Sequence, residues 1–292
     1  MRETPGPAFK NLTTLRLGGQ AIAMLEPETR ADLAALEERA KALGGSLFYL
    51  GRGSNLLASG DRHALVLVSM AAFAEIRIMA ERDGKVFVYA GAGAPLARLL
   101  RFCAREGLAG LEGLVGIPGT VGGACAMNAG SFGGAAGENL DALQILGPGG
   151  LEWAPKERLA LAYRSLKVAG RPVLPLICGA IFALTSCASN VILQRMHLNF
   201  FKKKSGQPLQ AWSAGCAFKN PPCGVAAGKL LEEAGFRGRR LGGMQFSLRH
   251  ANFLVNTGEG TPEQALELLQ AASGAVQAAA GITLEPEIRI IN

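Results

Sequence analysis

Between Leu111 and Gly134 the chain reads LEGLVGIPGTVGGACAMNAGSFGG, eight glycines and one charged residue in 24 positions. Glycine permits positive φ and lets backbone approach a ligand with no Cβ between them, and an apolar run broken this often is neither one helix nor one strand. It reads as a buried loop wrapped around something large, because successive backbone N–H groups can form a nest for phosphate; a set of tight turns in a core is the plainer alternative. A second loop, Gly51 to Leu57 (GRGSNLL), has the same character. Neither loop has the G-x-G-x-x-G or G-x-x-x-x-G-K-[ST] spacing, so a dinucleotide site here needs a different fold from the commonest two.

The other chemistry-bearing residues are scattered. Six cysteines (Cys103, Cys125, Cys178, Cys187, Cys216, Cys223) show no C-x-x-C spacing, which fits a reduced, cytoplasmic chain without structural zinc. His250 is one of three histidines, with no metal-binding cluster in the sequence around it. The formal net charge of +7 suits anionic partners or simply solubility. Phosphorylated small molecules fit it better than nucleic acid, because only 6% of residues are aromatic and stacking platforms are few. The N-terminus lacks the apolar core of a secretory signal. No charge occurs between Arg171 and Arg195, but Pro172, Pro175, Gly179 and a Ser/Thr/Asn cluster argue against a membrane span.

The elements that must position these loops begin with a strand at Ala21–Glu26, a helix from Arg30 to Leu43 capped by Thr29 and Asp32, and a strand at Leu47–Leu50 that feeds the Gly51 loop. Short strands follow at Ala64–Ser69, Ala74–Ala80 and Val86–Ala90, the last two joined by an Asp83-Gly84 hairpin turn. A helix is predicted from Pro95 to Glu106, and Val173–Ile177 and Ala180–Leu184 read as buried strand or core pieces. The basic stretch 195–210 is a candidate domain boundary. Beyond it come a helix over Val225–Ala234, a strand over Ala251–Asn256, a long helix opened by Thr261-Pro-Glu-Gln264 and ended near Gly281, and a strand over Ile282–Ile291.

In order along the chain, LGRGSNLL, AGAG at Ala90–Gly93, GIPGTVGG, the Tyr163-Arg164 pair, SAGCAFKNP at Ser213–Pro221, RHANFLVN and LEPEIRII resemble the UDP-N-acetylenolpyruvoylglucosamine reductase family. The resemblance extends from Asn11 to the C-terminus, and GIPGTVGG and SAG-x-x-FKNP are its specific parts. Length and the small number of tyrosines resemble the short subclass without a tyrosine-bearing substrate loop. The resemblance implies a vanillyl-alcohol-oxidase-like FAD-binding fold, α+β throughout, with FAD lobes at 1–69 and 70–195 and a substrate-binding domain at 196–292. It implies an enzyme of peptidoglycan precursor synthesis, expected as a cytoplasmic monomer, in which NADPH reduces FAD and the enolpyruvyl ether of UDP-N-acetylglucosamine is then reduced to UDP-N-acetylmuramate.

By the same resemblance Arg164, Cys216 and Glu287 match catalytic positions. Arg164 or an acid would face the charge developing on the carboxylate-conjugated carbon. Glu287 would donate a hydrogen bond only if burial kept it protonated. Cys216 stands where the family usually has a serine that supplies a proton, a task open to a thiol because it is a stronger acid than an alcohol. Tyr163, Lys204, Asn220 and His250 match substrate-contact positions, though Lys204 reads equally as one of three solvated lysines. The FAD cradle is expected from Gly51, Arg52, Gly53, Ser54, Asn55 and Leu56 and from Gly116, Ile117, Pro118, Gly119, Thr120, Gly122, Gly123 and Asn128, with the hydroxyls of Ser54 and Thr120 near the pyrophosphate. Two other readings are another FAD oxidase or dehydrogenase of the same superfold and a non-catalytic nucleotide-sugar binder.

Overall fold

Thr29 Oγ1 accepts the Asp32 amide at 3.1 Å and Asp32 Oδ2 accepts the Thr29 amide at 3.0 Å, closing the predicted capping box. The helix it starts, Arg30–Ala42, buries Leu33, Leu36 and Ala40 at i, i+3 and i+7. The computed structural model describes residues 1–292, which form two compact units. The first comprises Met1–Pro5, Ala23–Arg52 and Leu65–Lys202, the second Gly6–Ile22, Gly53–Ala64 and Lys203–Asn292.

In the first unit the strand Ser46–Leu50 runs parallel to the last five residues of the strand Arg62–Ser69, from Ser46 opposite Leu65 to Leu50 opposite Ser69. The Gly51 loop therefore leaves the carboxyl end of a parallel strand, where α/β folds place their ligands. A further sheet has the order Gly150–Pro155, Leu140–Gly147, Ile177–Ser186, Lys85–Gly91, Ile76–Arg82, with neighbours antiparallel. Asp83 and Gly84 make its tight turn with φ of 52° and 68°, the two positive values that match the strand twist. The helix Leu96–Arg105 buries Leu96, Leu99, Leu100, Cys103 and Ala104, with Pro95 at the N-cap rather than inside the first turn.

One expectation fails in this unit. Val173–Ile177 is neither strand nor core at its start: Val173 is 76% exposed, and the strand begins only at Ile177. Pro172 and Pro175 lack the N–H that a ladder requires. The basic stretch at 195–210, read as a candidate domain boundary, does contain the division between the units, which falls between Lys202 and Lys203, although most of the stretch belongs to the 18-residue helix Ser189–Gly206. Of its three consecutive lysines, Lys203 is only 3% exposed, so the triplet is not uniformly solvated. No helix of the chain is long and apolar enough to cross a membrane.

The second unit has an antiparallel sheet ordered Trp212–Cys216, Phe253–Asn256, Met244–Phe246, Arg240–Leu241. Phe218, Leu231, Phe236, Met244, Phe246, Leu254, Leu268 and Leu269 build its core, with Phe236 and Phe246 packed edge to face at 5.6 Å. Thr261 and Gln264 form the predicted reciprocal cap on the helix Pro262–Ala280, and Gly281 ends it at φ 68°. The shorter helix covers Ala227–Glu233 and the strand before the long helix covers Phe253–Asn256. At the C-terminus only Arg289–Ile291 is a strand, paired in parallel with Leu56–Ala58. Pro286 interrupts the longer strand predicted from Ile282, again by lacking an amide hydrogen.

Candidate active site

In the first unit the glycine-rich segment is strung antiparallel along the residues that follow Ala90. Leu96 N donates to Gly119 O at 3.0 Å, Val121 N to Ala94 O at 2.9 Å and Gly122 N to Ala92 O at 2.9 Å. Thr120 then caps the short helix Val121–Ala126, its Oγ1 accepting the Gly123 amide at 3.3 Å. Its own O–H proton is not consumed by that bond. The glycines here divide by what surrounds them. A Cβ on Gly122 would lie 2.8 Å from the Ala92 Cβ, so backbone packing requires that glycine. A Cβ on Gly51 would lie 3.1 Å from Thr120 Oγ1, and one on Gly123 would meet only that same oxygen, at 3.5 Å. Gly51 and Gly123 thus place no side chain beside this one hydroxyl. The segment is also less buried than its sequence suggests, with Gly116 and Pro118 exposed and Ile117, Gly119 and Thr120 half-buried.

Asn128, at φ 39°, closes this segment with both ends of its carboxamide on main chain: Oδ1 accepts from Gly137 N and Nδ2 donates to Ala162 O, each at 2.9 Å. Ala162 ends the strand Leu159–Ala162 and Ser165 begins its antiparallel partner Ser165–Val168, so Tyr163 and Arg164 are the two residues of a hairpin turn. Arg164 sits at φ 54°, a left-handed value that costs a non-glycine residue about 1 kcal/mol or more. Its guanidinium lies 4.9 Å from the centre of the half-exposed Tyr163 ring. The glycine-rich segment and the Tyr163-Arg164 turn, 34 residues apart, are thus joined by one amide.

In the second unit a β-bulge lies between Ser213 and Cys216 in the pairing of Trp212–Cys216 with Phe253–Asn256. Gly215 takes φ 83° there and the bulge re-aims the residue that follows it, Cys216, which is half-buried. The Glu287 amide donates to Ala217 O at 2.8 Å, and Asn55 Nδ2 donates to Glu287 O at 3.0 Å. Two predicted catalytic residues, Cys216 and Glu287, are therefore tied through adjoining backbone. Asn55, expected in the FAD cradle, is tied to the Glu287 main chain. Gly53, at φ 59°, is required by packing, since a Cβ would come 2.2 Å from Leu12 O. Ser54 and Leu56 follow it in the same unit, whereas Arg52 is exposed in the first.

Asn220 accepts the Ala227 amide with Oδ1 at 3.0 Å, capping the helix Ala227–Glu233 from seven residues away. His250 packs on that helix at Gly228, where a Cβ would lie 3.2 Å from its Cε1. The Asn252 amide donates to His250 Nδ1 at 3.2 Å, which in the neutral ring leaves the proton on Nε2. Burial first, and the charge of Arg237 second, lower the His250 pKa below its usual value. Lys204 is exposed, and its carbonyl accepts from Arg249.

Burial pushes the Cys103, Cys125 and Cys178 thiols up to about 12, so these three are core residues and not nucleophiles. The residue that sequence reasoning passed over is Asn252, 2% exposed, which grips the chain just beyond Cys216. Its signal was present as one of two amides, Asn252 and Asn256, in the otherwise apolar run ANFLVN.

Residues 21–152 match the FAD binding domain family, and residues 207–291 match the C-terminal domain of UDP-N-acetylenolpyruvoylglucosamine reductase. The UDP-N-acetylenolpyruvoylglucosamine reductase of Nitratidesulfovibrio vulgaris is 45% identical over 98% of this chain and 97% of its own. That of Aquifex aeolicus is 35% identical over 97% of this chain and 93% of its own. The crystal structure of the enzyme from Thermus caldophilus superimposes with a TM-score of 0.83 at 34% identity, covering 100% of this chain and 98% of that one.

Proposed function

Because this chain belongs to the UDP-N-acetylenolpyruvoylglucosamine reductase family, we propose that it reduces the enolpyruvyl ether of that nucleotide sugar to the lactyl ether, with NADPH as reductant and FAD as cofactor. The fold is the vanillyl-alcohol-oxidase-like FAD-binding fold with an α+β C-terminal part. We divide the chain functionally into FAD lobes at 1–69 and 70–195 and a substrate domain at 196–292, and read it as a cytoplasmic monomer in peptidoglycan precursor synthesis.

The residues around Thr120 fit the cofactor. A pyrophosphate needs close backbone and hydroxyl donors; the Gly123 amide is used by the helix cap, but Gly51 and Gly123 place no side chain beside the Thr120 hydroxyl, whose proton the cap does not use. When bound, FAD supplies the transfer of a hydride from NADPH to the vinyl carbon of the substrate. This chain's residues do the rest. Arg164 offers a permanently charged planar fork that matches a carboxylate, on a turn held by Asn128. It stabilises charge as it develops on the carbon next to the carboxylate. Cys216 Sγ–H gives that carbon its proton, and the Glu287 carboxyl lends a hydrogen bond.

The observation that carries this reading is the hydrogen bond from Glu287 N to Ala217 O, which ties the acid to the residue beside the thiol. The test is flavin absorbance of the purified protein followed by NADPH oxidation with and without UDP-N-acetylenolpyruvoylglucosamine. Substrate-dependent oxidation is expected; a flavin-loaded sample with none refutes the reading.

A further inference from the structure

We propose that Asn252 is a positioning residue that fixes Cys216 relative to Glu287 for proton delivery, an inference that rests on the functional reading above. The ladder between Trp212–Cys216 and Phe253–Asn256, bulged between Ser213 and Cys216, ends with Cys216 opposite Phe253. Beyond that point the chain leaves the sheet, and Asn252 takes over as a substitute strand. Its main-chain carbonyl accepts the Ala217 amide at 2.7 Å. Its side chain holds the next residue from both sides, Oδ1 accepting Phe218 N at 2.9 Å and Nδ2 donating to Phe218 O at 2.8 Å. All of this is buried, with Phe218 1% and Asn252 2% exposed, so water does not compete for these groups.

The segment so gripped is the one that receives Glu287. Ala217 O accepts the Glu287 amide at 2.8 Å, and Lys219 N donates to Glu285 O at 2.8 Å on the other side of the Phe218–Pro286 bridge. The Glu287 carbonyl is held in turn by Asn55 Nδ2 at 3.0 Å. A shift of residues 217 and 218 would therefore move both the residue after the thiol and the anchor of the carboxyl. At this length a carboxamide both donates and accepts whatever the pH. Aspartate keeps the acceptor towards Phe218 N and loses the donor towards Phe218 O, unless it is protonated; a protonated carboxyl again has one donor and one acceptor.

The test uses FAD-loaded enzyme and follows the two half-reactions by stopped flow. In Asn252→Ala and Asn252→Asp, flavin content and the rate of flavin reduction by NADPH are expected within about twofold of wild type. Reoxidation by UDP-N-acetylenolpyruvoylglucosamine is expected to slow about 10- to 100-fold, the scale of a misplacement near 1 Å. In a Glu287→Ala background, Asn252→Ala should add less than about twofold, because both changes disturb one arrangement. The deficit of Asn252→Asp relative to wild type should shrink from about pH 8 to about pH 6, as burial favours the protonated acid. Parallel loss of both half-reactions, multiplicative losses in the double variant, or a pH-independent deficit overturns the proposal. If the alanine variant does not fold, the pH dependence of the aspartate variant decides alone. Wild-type holoenzyme that substrate fails to reoxidise refutes the functional reading, and the proposal with it.

Discussion

Gly51 and Thr120 face each other so closely that a Cβ on the glycine would stand 3.1 Å from the threonine hydroxyl oxygen. One lies in the loop after a parallel strand and the other caps a short helix 69 positions later, which makes their approach the structural link between the two glycine-rich loops. Gly51 does not have positive φ, so alanine there carries no backbone strain. Gly51→Ala is therefore expected to leave the melting temperature of the flavin-free protein within about 2 °C of wild type. FAD affinity should fall about tenfold, or ~1.4 kcal/mol, because the methyl group intrudes on the hydroxyl and backbone that hold the anion. Gly122→Ala should do the reverse, lowering the melting temperature of the flavin-free protein through its clash with Ala92. Calorimetry of flavin-free protein and FAD titration separate the two; equal melting losses in both variants would show that Gly51 also serves packing.

The contrast between these glycines marks how far the sequence could be read. Capping residues announce themselves by type and spacing, and Thr29 with Asp32 and Thr261 with Gln264 stand where their patterns put them. A glycine announces only that a side chain is unwelcome. Whether Ala92, Leu12 or a ligand excludes it is decided by residues remote in sequence, so Gly53 and Gly122 look the same as Gly51 and Gly123 until the chain is folded. The main-chain groups that Asn55, Asn128 and Asn252 hold were illegible for a related reason: they lie as far as 232, 34 and 34 positions away. The strand predicted from Ile282 failed locally, because the weight given to its apolar residues ignored Pro286.

Cys216, proposed above as the proton donor, yields a prediction of its own. Cys216→Ser retains a proton donor of similar size at the bulge and is expected to keep substrate reduction within about fivefold of the parent. Cys216→Ala removes the donor, and loss of a positioned acid typically costs about 100-fold or more. Flavin reduction by NADPH should be unchanged in both. Full substrate turnover by the alanine variant would transfer the proton donation to another group.

Asn128 spans the glycine-rich segment and the hairpin that carries Arg164. Asn128→Ala removes both bonds and strands Gly137 N–H and Ala162 C=O, a loss of about 1–3 kcal/mol that chemical denaturation would record. Asn128→Asp retains the acceptor for Gly137 and opposes a carboxylate to the Ala162 carbonyl. It should therefore be nearly as stable towards Gly137 yet release the turn, lowering kcat more than FAD affinity. An aspartate variant that loses FAD in proportion to activity would place Asn128 in the cofactor cradle instead.

His250 supplies a test by titration. Burial and Arg237 both disfavour the imidazolium, so the folded midpoint lies below the ordinary 6.5. The sign follows directly: below about pH 6.5 the unfolded chain takes up a proton that the fold resists, so this residue subtracts stability as pH falls and has no effect well above it. The Asn252 amide on Nδ1 adds a second expectation, a neutral ring with its proton on Nε2. NMR titration of the three histidines, with His250 assigned by its loss in His250→Gln, should show a midpoint below 6.5 and the Nε2–H tautomer. Arg237→Ala should raise that midpoint without restoring it fully, because burial is the larger cause and survives the substitution. A midpoint at or above 6.5 in the parent, or an Nδ1–H ring, would mean that the Asn252–His250 bond does not set the state of this side chain in solution.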